Sequence, residues 1–286
     1  PETALSIPAF WSCVNLISTD IAMLPLRPVE IDGDARRPMT NHHTYSLVHD
    51  DPNPEATKID VISTWIGHAL VYPAGYLEIQ RDVAGRPIAL YNLDPTSVEP
   101  KRDETTGELY YEVQGLDHKG LPMDPGDVLV LHGLGFSPHL GYALSTLCRD
   151  TIRGIAGATE ATAKLWENGV VPSGYLRIPG VMDPKKLELL REDFDRRHAG
   201  SGNSWRPLIL ESGMEFQQAG FSPADAQLVE ALRAGVEQVA RMFRIPLYKL
   251  QHMQGTSYAS MDALQVEYLQ ALLPWMVRIE QELARK

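Results

Sequence analysis

Residues 222 to 250 read SPADAQLVEALRAGVEQVARMFRIPLYKL, and the rest of the chain is arranged around this stretch. Ser222 is a favourable N-cap, Pro223 falls at the first helical position, and Asp225 sits where a carboxylate reaches back to the cap. Leu228, Leu232, Val236, Val239 and Phe243 then follow at steps of three and four, which places them on one face of an α-helix. Arg233, Glu237 and Arg241 lie between them on a solvated flank. Ile245-Pro246 ends the helix, because proline has no amide donor and pushes the preceding residue out of helical geometry. A second turn follows over Leu247–Leu250. Periodicity alone describes a core helix with a hard stop.

Composition narrows the remaining choices. The chain has 286 residues, 44% of them apolar, which suits two packed units or one elongated one. It opens on Pro1 rather than methionine, so the expected start is a cut within a longer protein. It has no basic-plus-apolar leader and no apolar run of the roughly 18 residues that cross a bilayer, so no membrane association is expected. Cys13 and Cys148 are the two cysteines, with no C-x-x-C pair, which suits reduced, buried thiols of a cytosolic protein. No metal site or cofactor is expected. The net charge of −11 argues against tight binding of DNA phosphates and does not exclude a surface along which DNA moves without sticking.

Along the chain, Ser6 to Met23 reads as a helix with Phe10, Val14, Ile17 and Ile21 inward. Leu26 to Ile31 reads as a strand before the Asp32-Gly33 turn. His42-His43 lacks a third ligand at metal-binding spacing. Thr57 to Asp60 has capping-box spacing, and the helix it starts should run to about Tyr72, burying Ile62, Trp65, Ile66 and Ala69. From Gly75 the period changes to alternation. Tyr76–Gln80, Ile88–Leu93, Leu109–Val113 and Val128–Leu131 read as short strands of one largely antiparallel sheet, covered by the first two helices.

In the second half, Leu144 to Asn168 reads as one long helix stopped by Gly169, with Leu147 and Cys148 buried and a surface rich in Gly and Ala. Ser173–Ile178 is a strand, and a charged helix starts at Asp183-Pro184. Trp205–Glu211 and Met214–Gln218 flank Ser212-Gly213 as a hairpin. A final helix carries Leu264, Tyr268, Leu272, Trp275, Ile279 and Leu283 as its seam, with Pro274 expected to bend it or loosen one turn. The fold class is therefore α+β. The expected organisation is an α+β unit over 1–143, then a helical region over 144–286 with a hairpin at 205–218.

One stretch invites an enzyme reading. Asp127, His132 and Ser137 surround a strand end, as in a hydrolase fragment. The surroundings are not G-x-S-x-G, and Gly133-x-Gly135 lacks the third glycine and acidic residue of a dinucleotide fingerprint. No P-loop and no H-E-x-x-H occur. A hydrolase-like enzyme and a generic α/β interaction module remain the alternatives.

The wording of several segments carries more than their periodicity. VARMFRIPLYKL, then Thr256-Ser257-Tyr258-Ala259-Ser260, then a helix with Leu273-Pro274, resembles the signature of HK97-type phage portal proteins. Arg244 stands where that family usually has glycine. The resemblance extends in order over AFWSCVNLISTDIAMLPLRPV, Asp51-Pro-Asn-Pro, Tyr76-Leu-Glu-Ile-Gln-Arg-Asp, Asp127-Val-Leu-Val-Leu-His and Glu167-Asn-Gly-Val-Val-Pro-Ser-Gly. Pro73-Ala74-Gly75 departs from the family's Gly-Asn-Ala.

The resemblance implies a structural, non-enzymatic ring, dodecameric in full-length form, at a phage or prophage capsid vertex. Double-stranded DNA passes through it non-specifically during packaging and ejection. Terminase large subunit, major capsid protein and the head–tail connector are the implied partners, and the host cytoplasm is the implied place of synthesis. Residues 1–143 correspond mostly to the wing, stem and clip lie within 144–286, and the C-terminal crown is expected to be absent. The hairpin, with Trp205, Arg206, Glu211 and Glu215, is the clip candidate for partner contact.

Overall fold

The capping box at Thr57 forms as its spacing requires. The Thr57 side chain accepts from the Asp60 amide, and Asp60 accepts from the Thr57 amide. The helix it starts, Lys58–Val71, buries Val61, Ile62, Trp65, Ile66, Ala69 and Leu70 at the centre of the molecule's larger unit. The structure is a computed structural model and describes residues 1–33, 35–114, 120–135, 141–167, 175–177, 185, 188–189, 215–217, 223–251 and 261–286. Its contacts divide the chain into one unit of Pro1–Arg149 with Gln238–Lys286 and another of Asp150–Glu237.

In the larger unit a short helix α1 (Glu2–Leu5) leads into α2 (Pro8–Ala22), whose Phe10, Cys13, Val14, Ile17 and Ile21 are buried. Burial pushes the Cys13 thiol up to about 12, so it stays protonated and inert. A hairpin follows, β1 (Val29–Asp32) and β2 (Ala35–Pro38), turned through Gly33 at φ +60°. The strand starts at Val29, not at the expected Leu26, because Pro25 and Pro28 cannot donate to a ladder. Helix α3 (Tyr45–His49) precedes the Asp51–Pro54 turn, where buried Asn53 donates to the Leu90 carbonyl at 2.7 Å and accepts from the amides of Glu55 and Ala56. That side chain fixes the start of α4 (Lys58–Val71) against the sheet.

Two three-stranded antiparallel sheets replace the single sheet expected. The first has the order β4–β3–β8, from β3 (Ala74–Arg81), β4 (Pro87–Leu93) and β8 (Val128–His132). The second is a meander of β5 (Val98–Arg102), β6 (Leu109–Val113) and β7 (Leu121–Met123). They share a core of Tyr76, Leu93, Val98, Tyr111, Val113 and Val128, in which the rings of Tyr76 and Tyr111 meet edge-on at 5.9 Å. Helix α4 packs on β3 and α2 packs on α4, so one helix touches the sheet directly and the other lies above it. Gly75 permits the contact: a Cβ there would lie 2.2 Å from the Trp65 carbonyl, and the Trp65 indole donates back to Gly75 O at 3.0 Å.

The helix expected over 144–168 is interrupted. A turn of helix, α5 (Leu144–Leu147), ends at Cys148, whose φ −102° and ψ 21° leave helical geometry, and α6 (Arg149–Glu167) starts afresh. Leu147, expected to be buried, is 59% exposed. In the smaller unit α6 is joined by a two-stranded antiparallel pair, β9 (Tyr175–Arg177) with β10 (Glu215–Gln217), and by the first part of α7 (Pro223–Phe243). A Cβ on Gly235 would lie 2.7 Å from Ile155 Cγ1, so α6 and α7 approach closely at that point.

The end of α7 belongs to the larger unit, where Phe243 packs edge-on against Phe10 at 5.0 Å. The final helix, α8 (Met261–Arg285), is helical through Pro274 and buries Tyr268, Leu272, Trp275 and Ile279, with Leu264 and Leu283 half-buried. This is the seam read from the sequence. It lies on β8 and α2. The linear cut at 143/144 would leave α8 with the second half, whereas its contacts put it with the first.

Candidate functional site

Asp127 and His132 of the hydrolase reading are not brought together. Asp127 accepts from Arg81 Nε at 2.8 Å, and the same guanidinium donates to the carbonyls of Gly126 and Gly85. Arg81 thus straps the β3–β4 turn to the start of β8. His132 lies at the other end of that extended strand, about 17 Å away at roughly 3.3 Å per residue. Ser137 lies outside the described residues. The glycines that follow serve packing: a Cβ on Gly133 would lie 2.9 Å from Ala69 O, and one on Gly141 would lie 2.2 Å from Pro73 O.

Other polar clusters are tied to their own backbone. His42 and His43 lie with tilted rings 4.3 Å apart between centroids, and His42 Nδ1 meets Thr44 Oγ1 at 2.7 Å. No group of three metal-capable side chains occurs among the described residues. An open depression of about 690 Å³ is lined in part by Asp103, Glu108, Glu112 and Asp124. Asp103 accepts from the amides of Thr105 and Thr106, which hold its carboxyl below the usual carboxylate range. Glu112 is bridged by Lys101, whose ammonium that hydrogen bond raises above its ordinary value. Asp103 and Asp124 thus hold turns, and Glu112 pairs across neighbouring strands.

The residues that hold the outer elements in place were not evident from the sequence. Glu282 accepts from the Val130 amide at 3.0 Å and covers a donor on the open edge of β8. Arg278 donates to the His132 and Gly133 carbonyls, and Tyr268 donates to Asp20 at 2.8 Å. The available signal was a charge flanking an apolar seam, which most surface helices also show.

The opening stretch acquires a physical meaning here. Phe243 meets Phe10, Arg244 turns through φ +57°, Ile245 is buried, and Pro246 leads into the Leu247–Leu250 turn. Arg244 and Ile245 donate to Arg241 O and Ala240 O, the paired bonds of a glycine-type helix end. Of the clip candidates, Trp205, Arg206 and Glu211 lie outside the described residues. Glu215 opens β10, is exposed, and sits opposite Arg177. The strand at 215–217 therefore pairs with 175–177. Any pairing with 205–211 falls outside the described residues.

Charged side chains that strap strands, glycines that admit close contacts and long helices laid on a sheet define a mixed α+β fold. The chain belongs to the phage portal protein family, whose model matches residues 8–286. It is 26% identical to the probable portal protein of Streptomyces phage phiC31 across 98% of its own length, and spans 63% of that protein. It is likewise 26% identical to the portal protein of Enterobacteria phage HK97, covering 99% of this chain and 68% of that one. The fold recurs in the neck of an empty gene transfer agent particle computed with C6 symmetry, at TM-score 0.73 and 22% identity, over 99% of this chain and 78% of that one. It recurs also in the HK97-family portal protein of Corynebacterium diphtheriae, at TM-score 0.63 and 19% identity, over 98% and 87%. The resemblance read from the sequence and the α+β fold class both hold, and the hydrolase alternative finds no support.

Proposed function

We propose that this chain is the repeating subunit of a portal ring at one vertex of a tailed-phage or prophage capsid, through which double-stranded DNA is packaged and ejected. The family match over residues 8–286 carries this reading. Neck particles of the same fold, computed with C6 and C12 symmetry, support it. A closed ring needs heterologous contacts, one face of each subunit against a different face of the next. A conduit reads no base edges and makes no bonds, so the subunit needs no catalytic group. Its net charge of −11 suits a wall that does not hold phosphates.

The work of translocation falls to the terminase motor, and the major capsid protein and head–tail connector are the remaining partners of this reading. The larger unit, including the returning residues 238–286, corresponds mostly to the wing, and 150–237 to stem and clip. Trp205, Arg206, Glu211 and Glu215 remain the clip residues proposed to meet the motor. Charge reversal of Arg206 and Glu215 is expected to weaken terminase binding, and unchanged binding would contradict that assignment. Negative-stain images of the purified full-length protein test the main reading through one outcome, rings with a central hole.

A further inference from the structure

Two apolar surfaces of the larger unit are left uncovered. The first is one face of the β1–β2 hairpin. Ile31 lies opposite Arg36 and Val29 opposite Pro38, so these four share a face, while Glu30, Asp32 and Arg37 occupy the other. Asp32 and Arg37 pair there at 3.6 Å. Every residue of both strands is exposed, Ile31 at 70%. A two-stranded ribbon standing alone is marginally stable in water, so this one gains from a surface to lie on.

The second is the outer face of α8. Asp262, Val266, Leu269, Leu273, Val277 and Glu280 succeed one another at steps of four, three, four, four and three, which makes one continuous stripe. Leu269 is 58% exposed and Leu273 55%. An outward helix face is ordinarily polar, and a contiguous apolar stripe marks an interaction surface. This one is about 27 Å long at 1.5 Å per residue, and it ends in a carboxylate at each tip.

Charge decides the occupant. Like charge disfavours two α8 stripes facing each other, since antiparallel packing sets Asp262 against Glu280 and parallel packing sets each carboxylate against its own copy. Such a self-matched contact is isologous and does not by itself close a ring of many subunits. The hairpin face supplies what the stripe lacks, an apolar centre with a cation, Arg36, beside it. Resting on the ring reading above, we propose that the Val29–Ile31 face of the β1–β2 hairpin of one subunit docks on the outer stripe of α8 of the next subunit. Arg36 then meets a carboxylate at one tip of that stripe. The contact is heterologous, with each subunit giving a hairpin and receiving one, as ring closure requires.

The test uses the full-length protein that contains this chain. A benzophenone photocrosslinker at position 31 is expected to join one subunit to residues 262–280 of another, read by peptide mass spectrometry. Ile31→Asp and Leu273→Asp, at exposed positions that leave the thermal unfolding of the subunit unchanged, are each expected to raise the concentration needed for ring formation by roughly tenfold or more. Wild-type rings whose crosslinks fall elsewhere, in the same subunit or on another protein, overturn this seam and leave the ring reading standing. Rings that persist unchanged in both variants do the same. A full-length wild-type protein that stays monomeric overturns the ring reading itself.

Discussion

Arg244 occupies a backbone position that suits glycine, so a glycine there should be more stable than an alanine. Its φ of +57° lies in the left-handed region at the end of α7. Its amide donates to Arg241 O at 3.2 Å, and that of Ile245 to Ala240 O at 2.9 Å. Ile245 and Ala240 are both buried, so the turn is fixed by packing as well as by hydrogen bonds. A Cβ in this conformation costs about 1–2 kcal/mol. Glycine removes that cost but adds unfolded-chain entropy worth about 0.4–1 kcal/mol. Arg244→Gly and Arg244→Ala both delete the cation at the helix C-terminus, so the dipole contribution cancels between them. The glycine variant should therefore exceed the alanine variant by about 0.5–1 kcal/mol, or roughly 2 °C in Tm for a unit of this size. Arg244→Val should be the least stable of the three, because a β-branched side chain tolerates this region worst. Urea denaturation and calorimetry would rank them. An alanine variant as stable as the glycine variant would refute the argument.

Four further outcomes follow from the same geometry. Thr57→Ala removes the capping box of α4 and should cost about 1 kcal/mol in chemical denaturation. Gly75→Ala forces a Cβ to 2.2 Å from the Trp65 carbonyl; loss of 3 kcal/mol or more, on the order of the largest overpacking effects, should appear as an early thermal transition. Gly157→Ala places a Cβ in open space and should stabilise the isolated subunit by up to about 1 kcal/mol, whereas Gly235→Ala must displace Ile155 and should destabilise it; proteolysis midpoints would separate the two. Burial holds the His68 imidazole below its ordinary 6.5, against the pull of Asp94. The unfolded chain then takes up a proton first as pH falls, so the stability that neutral His68 contributes is whole above pH 6.5 and is lost below it, toward the lower folded value. His68→Gln should flatten stability against pH below 6.5, and an unchanged slope would contradict this.

What the sequence made legible was local and periodic. The α8 seam from Leu264 to Leu283 and the Thr57–Asp60 cap are set by neighbours within a turn or two, and both stand as read. Strands β5 and β7 escaped because Val98–Arg102 does not alternate cleanly and Leu121–Met123 is three residues long; pairing with β6 makes them strands. The break at Cys148 has no glycine or proline to announce it. The pairing of 215–217 with 175–177 and the return of α8 to β8 are contacts between distant segments, which no local pattern encodes. Arg244 was visible only as a departure from a family signature, and the sign of one dihedral shows why glycine suits that position. The enzyme alternative failed for the converse reason: Asp127 and His132 are close in sequence, and the extended strand between them keeps them apart.

In the portal reading, copies of the protein close around an axis. Two-dimensional class averages of the purified full-length protein, with native mass spectrometry of the same sample, measure that directly. Rings of a single subunit number, with cyclic symmetry and a hole wide enough for duplex DNA, are the predicted result. Monomers at every concentration, open filaments, or closed particles with no channel would contradict it.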